Sequence, residues 1–105
     1  MRLVFQNVKH DPLFLLRRAG YGYERKNDQT GESSFGKRLS VNQYPKFHVY
    51  AKIEKGNLTV NLHLDQKKPS YDGYAAHGGE YDGEVLEREA ERIKICINKA
   101  VKETA

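Results

Sequence analysis

Cysteine is nearly absent from this chain. The single one, Cys96, leaves no intrachain disulfide to be made, so packing must hold the fold, and a reducing, cytoplasmic setting is the expectation. Long apolar runs are missing too. No stretch approaches the roughly 20 residues that span a bilayer, so no membrane partner is expected. The opening MRLVFQNVKHD has no apolar signal core and no cleavage site, which sets the expectation that the protein is not exported. RNP, KH and zinc-knuckle patterns are lacking, and HGGE is not HExxH. Apolar residues make up only 38%, with a mean hydropathy of −0.80. Charge of both signs and clear periodic stretches still point to a folded chain rather than a disordered one.

What is present suits one domain. A chain of 105 residues builds a single modest core and has no material for a second. The net charge of +4 is unevenly spread. Residues 1–56 hold 11 Lys/Arg against 5 Asp/Glu, a balance of +6, and residues 57–105 hold 7 against 9, a balance of −2. A basic half favours an anionic partner, nucleic acid first and an acidic protein second. An ordinary solvated surface is the plain alternative.

RLVF at residues 2–5 can form a short strand. In HDPLFLLRRAGYG, Asp11 suits an N-cap, Pro12 the first helical position and Gly20 the C′ position, so a short helix is predicted over about 12–19. YGYERKNDQTGESSFGKRLSV reads as two strands around the polar turn NDQTGE. Phe35, Lys37, Leu39 and Val41 alternate there with Ser34, Gly36, Arg38 and Ser40. Gly36 marks a bulge or a close approach. The clearest element is KFHVYAKIEKGNLTVNLHLDQ. Phe47, Val49, Ala51 and Ile53 alternate with polar neighbours, and so do Leu58, Val60, Leu62 and Leu64, as in a hairpin with one buried and one wet face. A two-residue turn at Gly56-Asn57 or a four-residue loop both keep the faces in step. After a 17-residue loop, Leu86, Ala90, Ile93, Ile97, Ala100 and Val101 form one helical stripe, with Cys96 beside it as a small core hydrophobe. Asp82 is placed as the N-cap, with Glu84, Glu87 and Glu89 near the positive helix start. The fold expected is α+β: an antiparallel sheet of about four strands, a long C-terminal helix on one face, and a short N-terminal helix at an edge.

The other sheet face is expected to be open. It would carry His48, Tyr50 and Lys52 beside Thr59, Asn61, His63 and Asp65, with Arg38 alongside. His48 falls opposite Asp65 in the two-residue register and opposite His63 in the four-residue one. Three readings compete. The leading one is a nucleic-acid platform, RNA or DNA, in which Tyr50, His48 and His63 stack on bases. Lys52 and Arg38 would meet phosphates there, supported by Arg17, Arg18, Arg25 and Lys26. The second is a metal or acid–base site of His48, His63, Asp65 and His77, with zinc the natural ion for imidazole and carboxylate ligands. The third is a protein-docking face, in which His48 and Asp65 are a hydrogen-bonded pair and His63 stacks on Tyr50. A homodimer could also cover the face. In the loop PSYDGYAAHGGEYDG, the two YDG triplets read as a turn and a helix cap, not as a repeat.

RRAGYG, YPKFHVY, NLHLDQKKPSY and AHGGEYDG together resemble a small bacterial protein family of candidate-phyla, Parcubacteria-type genomes. The resemblance spans about residues 17 to 93. It implies a bacterial, cytoplasmic protein; the family brings no established activity, so no functional residue carries over. The βαβββα-like order is also similar to ribosome-associated hibernation factors and double-stranded RNA-binding domains. Here the first helix is shorter, and the last opens with glutamates where a double-stranded RNA-binding domain presents lysines, so the likeness is one of fold alone.

Overall fold

The computed structural model describes residues 1–66 and 78–103. In chain order the elements are β1 (Arg2–Phe5), α1 (Pro12–Arg18), β2 (Gly22–Lys26), β3 (Ser33–Arg38), β4 (Lys46–Glu54), β5 (Asn57–Asp65) and α2 (Gly78–Glu103). The strands form one antiparallel sheet in the order β1-β5-β4-β3-β2. The α+β class is as expected. The strand count is five rather than about four, because RLVF does pair, running antiparallel to β5 from Arg2↔Asn61 to Phe5↔Leu58.

The central hairpin sets the rest. Its turn is two residues, Lys55 and Gly56, with φ of 54° and 81°. Two consecutive left-handed residues match the right-handed twist of the flanking strands. The closing pair is Glu54↔Asn57, so Ile53 faces Leu58, Val49 faces Leu62 and His48 faces His63. This corrects the expected Gly56-Asn57 turn. The chain turns one residue earlier and takes the register of the four-residue alternative. Leu58, Val60 and Leu62 are buried with Phe47, Val49 and Ala51 on one face. β3 stops at Arg38 because its partner β4 starts at Lys46. The expected alternation through Leu39 and Val41 therefore fails, and Val41 is 92% exposed.

Helix α1 forms where its caps predict. The Asp11 carboxylate accepts from Leu13 N–H at 2.8 Å, and Gly20 takes φ +90° just past the end. It buries Leu15 and Leu16. β1 and β2 run parallel at opposite edges of the sheet, so their connection must cross a face. α1 therefore lies beside α2 on the covered face and not at an edge as expected. α2 begins at Gly78 and already contains Asp82, so Asp82 is not its N-cap. Its stripe of Ala90, Ile93, Ile97 and Ala100 is buried against the sheet, and Cys96 is half-buried at the margin. Among the described residues, no helix is long and apolar enough to cross a membrane.

Candidate nucleic-acid interface on the open sheet face

Both helices pack on the face of Val49 and Leu62. Among the described residues no helix lies over the other face. Cross-strand partners share a face, so Lys46, His48, Tyr50 and Lys52 lie with Asp65, His63, Asn61 and Thr59 on β5. Arg38, Gly36 and Ser34 of β3 continue the same face. Arg2 and Val4 extend it on β1.

Three rings meet at its centre. Tyr50 has the His48 ring 4.6 Å away at 35°, and the His63 ring 5.9 Å away, edge-on at 71°. Tyr50 is half-buried and His63 is exposed. A depression beside Tyr50 is lined by Arg25, Ser34, Asn27 and Glu32. Among the described residues, Lys52 pairs with the exposed Glu54 at 3.4 Å, a contact of little energetic weight in solvent.

A β-bulge builds the acidic side of the site. On β2, Tyr23 pairs with Phe35 and Arg25 with Ser34, which leaves Glu24 as the extra residue. A bulge puts two consecutive side chains on one face, so Glu24 and Arg25 both join Ser34 and Tyr50. Glu24 then lies across Gly36: a Cβ at that glycine would stand 2.6 Å from Glu24 Oε2. This is the close approach expected at Gly36, although the bulge itself sits on the neighbouring strand. Past Gly36, Glu24 Oε2 accepts from Lys46 Nζ at 2.9 Å. That hydrogen bond raises the Lys46 pKa, outweighing the opposing effect of burial.

His48 is held between two carboxylates. Its Nδ1 is 3.0 Å from Asp65 Oδ2, and its Nε2 is 3.2 Å from Glu24 Oε1. The first contact is a hydrogen bond. The second is not aligned for a hydrogen bond, and among the described residues the buried Nε2 has no hydrogen-bond partner. The two carboxylates approach different nitrogens of the ring. Among the described residues, no group of three or more His, Cys, Asp and Glu side chains is arranged to hold a metal ion. His48, His63 and Asp65 do share the face, as expected for the zinc or acid–base set; His77 lies outside the described residues. Asp65 orients the imidazole as a His/Asp base requires, but Nε2 faces Glu24 rather than an open site.

The expected nucleic-acid residues divide. His48, Tyr50, Lys52, His63 and Arg38 come together, and Arg25 joins them through the bulge. Lys26 does not: it pairs with Ser33, whose other partner is the buried Ala51 of the covered face. Arg17 and Arg18 end α1 on that same covered side. Arg18 is bound to Glu103 at 2.9 Å and lies over the Phe14 ring. Glu24 and Lys46 were not anticipated. Their signal was faint: one glutamate in a basic strand, facing a glycine.

A second polar cluster, also unanticipated, lies under the sheet. Glu89 is 5% exposed and Tyr21 2%. Tyr21 Oη donates to Glu89 Oε2 at 2.6 Å, and Arg92 grips both Glu89 oxygens from Nε and Nη2 at 2.8 and 2.7 Å. Arg92 Nη2 also donates to Ala19 O at 2.6 Å, which ties α2 to the end of α1. Burial alone would raise the Glu89 pKa, but Arg92, Tyr21 and Lys37 together hold it below the ordinary carboxylate value. Burial, then the bond to Glu89, pushes the Tyr21 phenol far up. Glu89 is therefore a buried anchor and not a solvated charge at the helix start. Its position was a usable signal, three residues after Leu86 and four before Ile93, on the border of the apolar stripe.

No protein-family model, curated protein or solved structure matches the chain.

Proposed function

We propose that this protein binds single-stranded or structured nucleic acid, RNA in the first instance, on the open sheet face. One observation carries the reading: the cluster of His48, Tyr50 and His63 rings on a face with no helix over it among the described residues, bordered by Arg25, Arg38 and Lys52. Tyr50 and His63 offer rings to unstacked bases, and the cations meet phosphates. His48 has a bracing part. Gripped by Asp65 and flanked by Glu24, it holds the Tyr50 ring from one side. Glu24 and Asp65 also set a limit, because they repel phosphates from the Lys46 end of the face. The backbone of a bound strand is thus steered toward Arg25 and Lys52.

The test is a ¹H–¹⁵N NMR titration with a short mixed-sequence RNA at low and at high salt. Shifts should concentrate at Tyr50, Lys52, His63 and Arg25, and should fade as salt rises. Tyr50→Ala should weaken binding by about tenfold, the effect of losing about 1.4 kcal/mol of base stacking. Lys52→Ala should weaken all sequences alike and lower the salt slope by about one. Unchanged affinity in Tyr50→Ala, or shifts confined to α1, would sink the proposal.

A further inference from the structure

The two edges of the sheet are built differently. β2 is blunted: its bulge at Glu24 interrupts pairing, and Glu24, Arg25 and Lys26 follow in a row. Bulges and charges are the usual means of keeping a sheet edge from pairing with another chain. β1 carries no bulge within Arg2–Phe5, and its one charge there is Arg2. Its central outward residue, Val4, is apolar and 53% exposed.

The ladder shows which backbone groups β1 leaves open. Met1 and Leu62 exchange both of their bonds, Leu62 N–H to Met1 O at 2.8 Å and the Met1 amine to Leu62 O at 3.0 Å. Antiparallel pairs alternate between bonded and non-bonded. Leu3 and Phe5 therefore turn their N–H and C=O groups toward β5. Those of Arg2 and Val4 point away from the sheet.

This edge is complementary to itself. Place a second copy antiparallel to it, with a two-fold axis perpendicular to the sheet and midway between Val4 and Val4 of the copy. Val4 then exchanges two hydrogen bonds with Val4 of the copy, and Arg2 meets Gln6 of the copy on each side. Leu3 falls opposite Phe5 of the copy, and both belong to the covered face. A shift by one residue would set Leu3 against Val4 and mismatch the faces. No like charges meet in the matched register. Beneath the strand, a groove lined by Leu3, Phe5, Val8, Ile97, Asn98 and Val101 runs along the same edge. The copy brings its own groove beside it, with Gln6 and Lys94 also in the lining of each.

We infer that β1 is a homodimer interface, at which two copies join edge to edge into one ten-stranded sheet through self-pairing about Val4. The inference rests on the edge alone and stands whether or not the open face binds RNA. It has a consequence for that face. An axis perpendicular to the sheet puts both open faces on the same side, with the two Tyr50 clusters five strand intervals apart across the sheet and four residues out of line along it, about 27 Å in all. One flexible strand can reach both clusters, and bivalent engagement of this kind raises avidity without new contacts.

Sedimentation equilibrium of protein without an N-terminal tag tests the inference. A short strand pair forms a small interface, and small interfaces are weak, so a shift from monomer to dimer is expected between about 1 µM and 1 mM. Val4→Pro removes only an outward N–H and spares the bonds to β5. Val4→Lys sets like charges face to face across the axis. Both should stay monomeric with an unchanged circular dichroism spectrum, and Val4→Lys keeps the test alive if the proline variant does not fold. In the wild-type protein, hydrogen exchange of the Val4 amide should slow as concentration rises. A wild-type monomer throughout the range, or a dimer that both variants leave intact, overturns the inference.

Discussion

Two glutamates organise the two faces of the same sheet, and the molecule treats them in opposite ways. Glu89 is sealed beneath the sheet, with a phenol, a guanidinium and an ammonium directed at it. Glu24 lies on the open face, its side chain 35% exposed, with Lys46 on one oxygen and the edge of His48 by the other. A buried carboxylate needs every partner, because losing one leaves charge in a low dielectric. A half-solvated one can change partners at little cost, because water replaces what is lost. The covered-face cluster is therefore structural, and the open-face cluster is free to serve binding.

The comparison breaks first at Arg92. Arg92→Met should destabilise the protein by about 3 kcal/mol, the low end for stranding a buried charge, since the Arg92 side chain is itself 38% exposed. Chemical denaturation measures this, and a cost no larger than that of Glu24→Gln would remove the distinction. The pH dependence follows from the same anchor. Because the folded pKa of Glu89 is lowered, the unfolded state binds the proton more tightly, and stability rises with pH between the two values. The contribution is complete above the unfolded carboxylate value of about 4.3 and is lost as pH falls through the lower folded value. Glu89→Gln should flatten the acid limb of a stability–pH curve.

Tyr21→Phe comes next. It deletes one hydrogen bond to a charged group, worth about 1.5 kcal/mol, and leaves Arg92 in place. It should also reduce the alkaline loss of stability. With the folded phenol pKa raised, stability falls as pH climbs past about 10, where the unfolded phenol ionises. A wild-type alkaline limb that Tyr21→Phe does not change would show that the phenol is not sealed.

The smallest effect should come from Gly36→Ala. The new methyl displaces the Glu24 carboxylate from Lys46, but that carboxylate is the end of a flexible chain, and alanine suits a strand better than glycine. Stability should stay within about 0.5 kcal/mol, while the Lys46 and His48 resonances shift. Undisturbed resonances would mean that Glu24 does not rest across Gly36.

Much of the architecture was legible because it follows from short-range rules. Strict alternation in β4 and β5 fixed which residues are wet. Asp11, Pro12 and Gly20 bounded α1. The open-face group of His48, Tyr50, Lys52 and His63 followed from parity alone. What stayed hidden needed contacts between distant elements. Asp82 has the chemistry of a cap, yet α2 starts ahead of it, because Ser/Thr/Asp/Asn preference is only a weak local vote. Glu89 looked like a helix-start charge until the turn after α1 brought Tyr21 against it and Ala19 O against its partner Arg92. Glu24 could not be assigned to a face without the bulge.

The sequence by itself determined the α+β class, the buried stripe of α2 and the two faces of the central hairpin, because period 2 and period 3.6 are properties of the backbone. Tertiary structure decided the rest. It placed α1 on the covered face, set the hairpin turn at Lys55 and Gly56, brought Glu24 to His48, and left β1 at an edge of the sheet. Each of these depends on which strands become neighbours, and pairing between distant strands is settled by the packing of the whole chain rather than by any local run of residues.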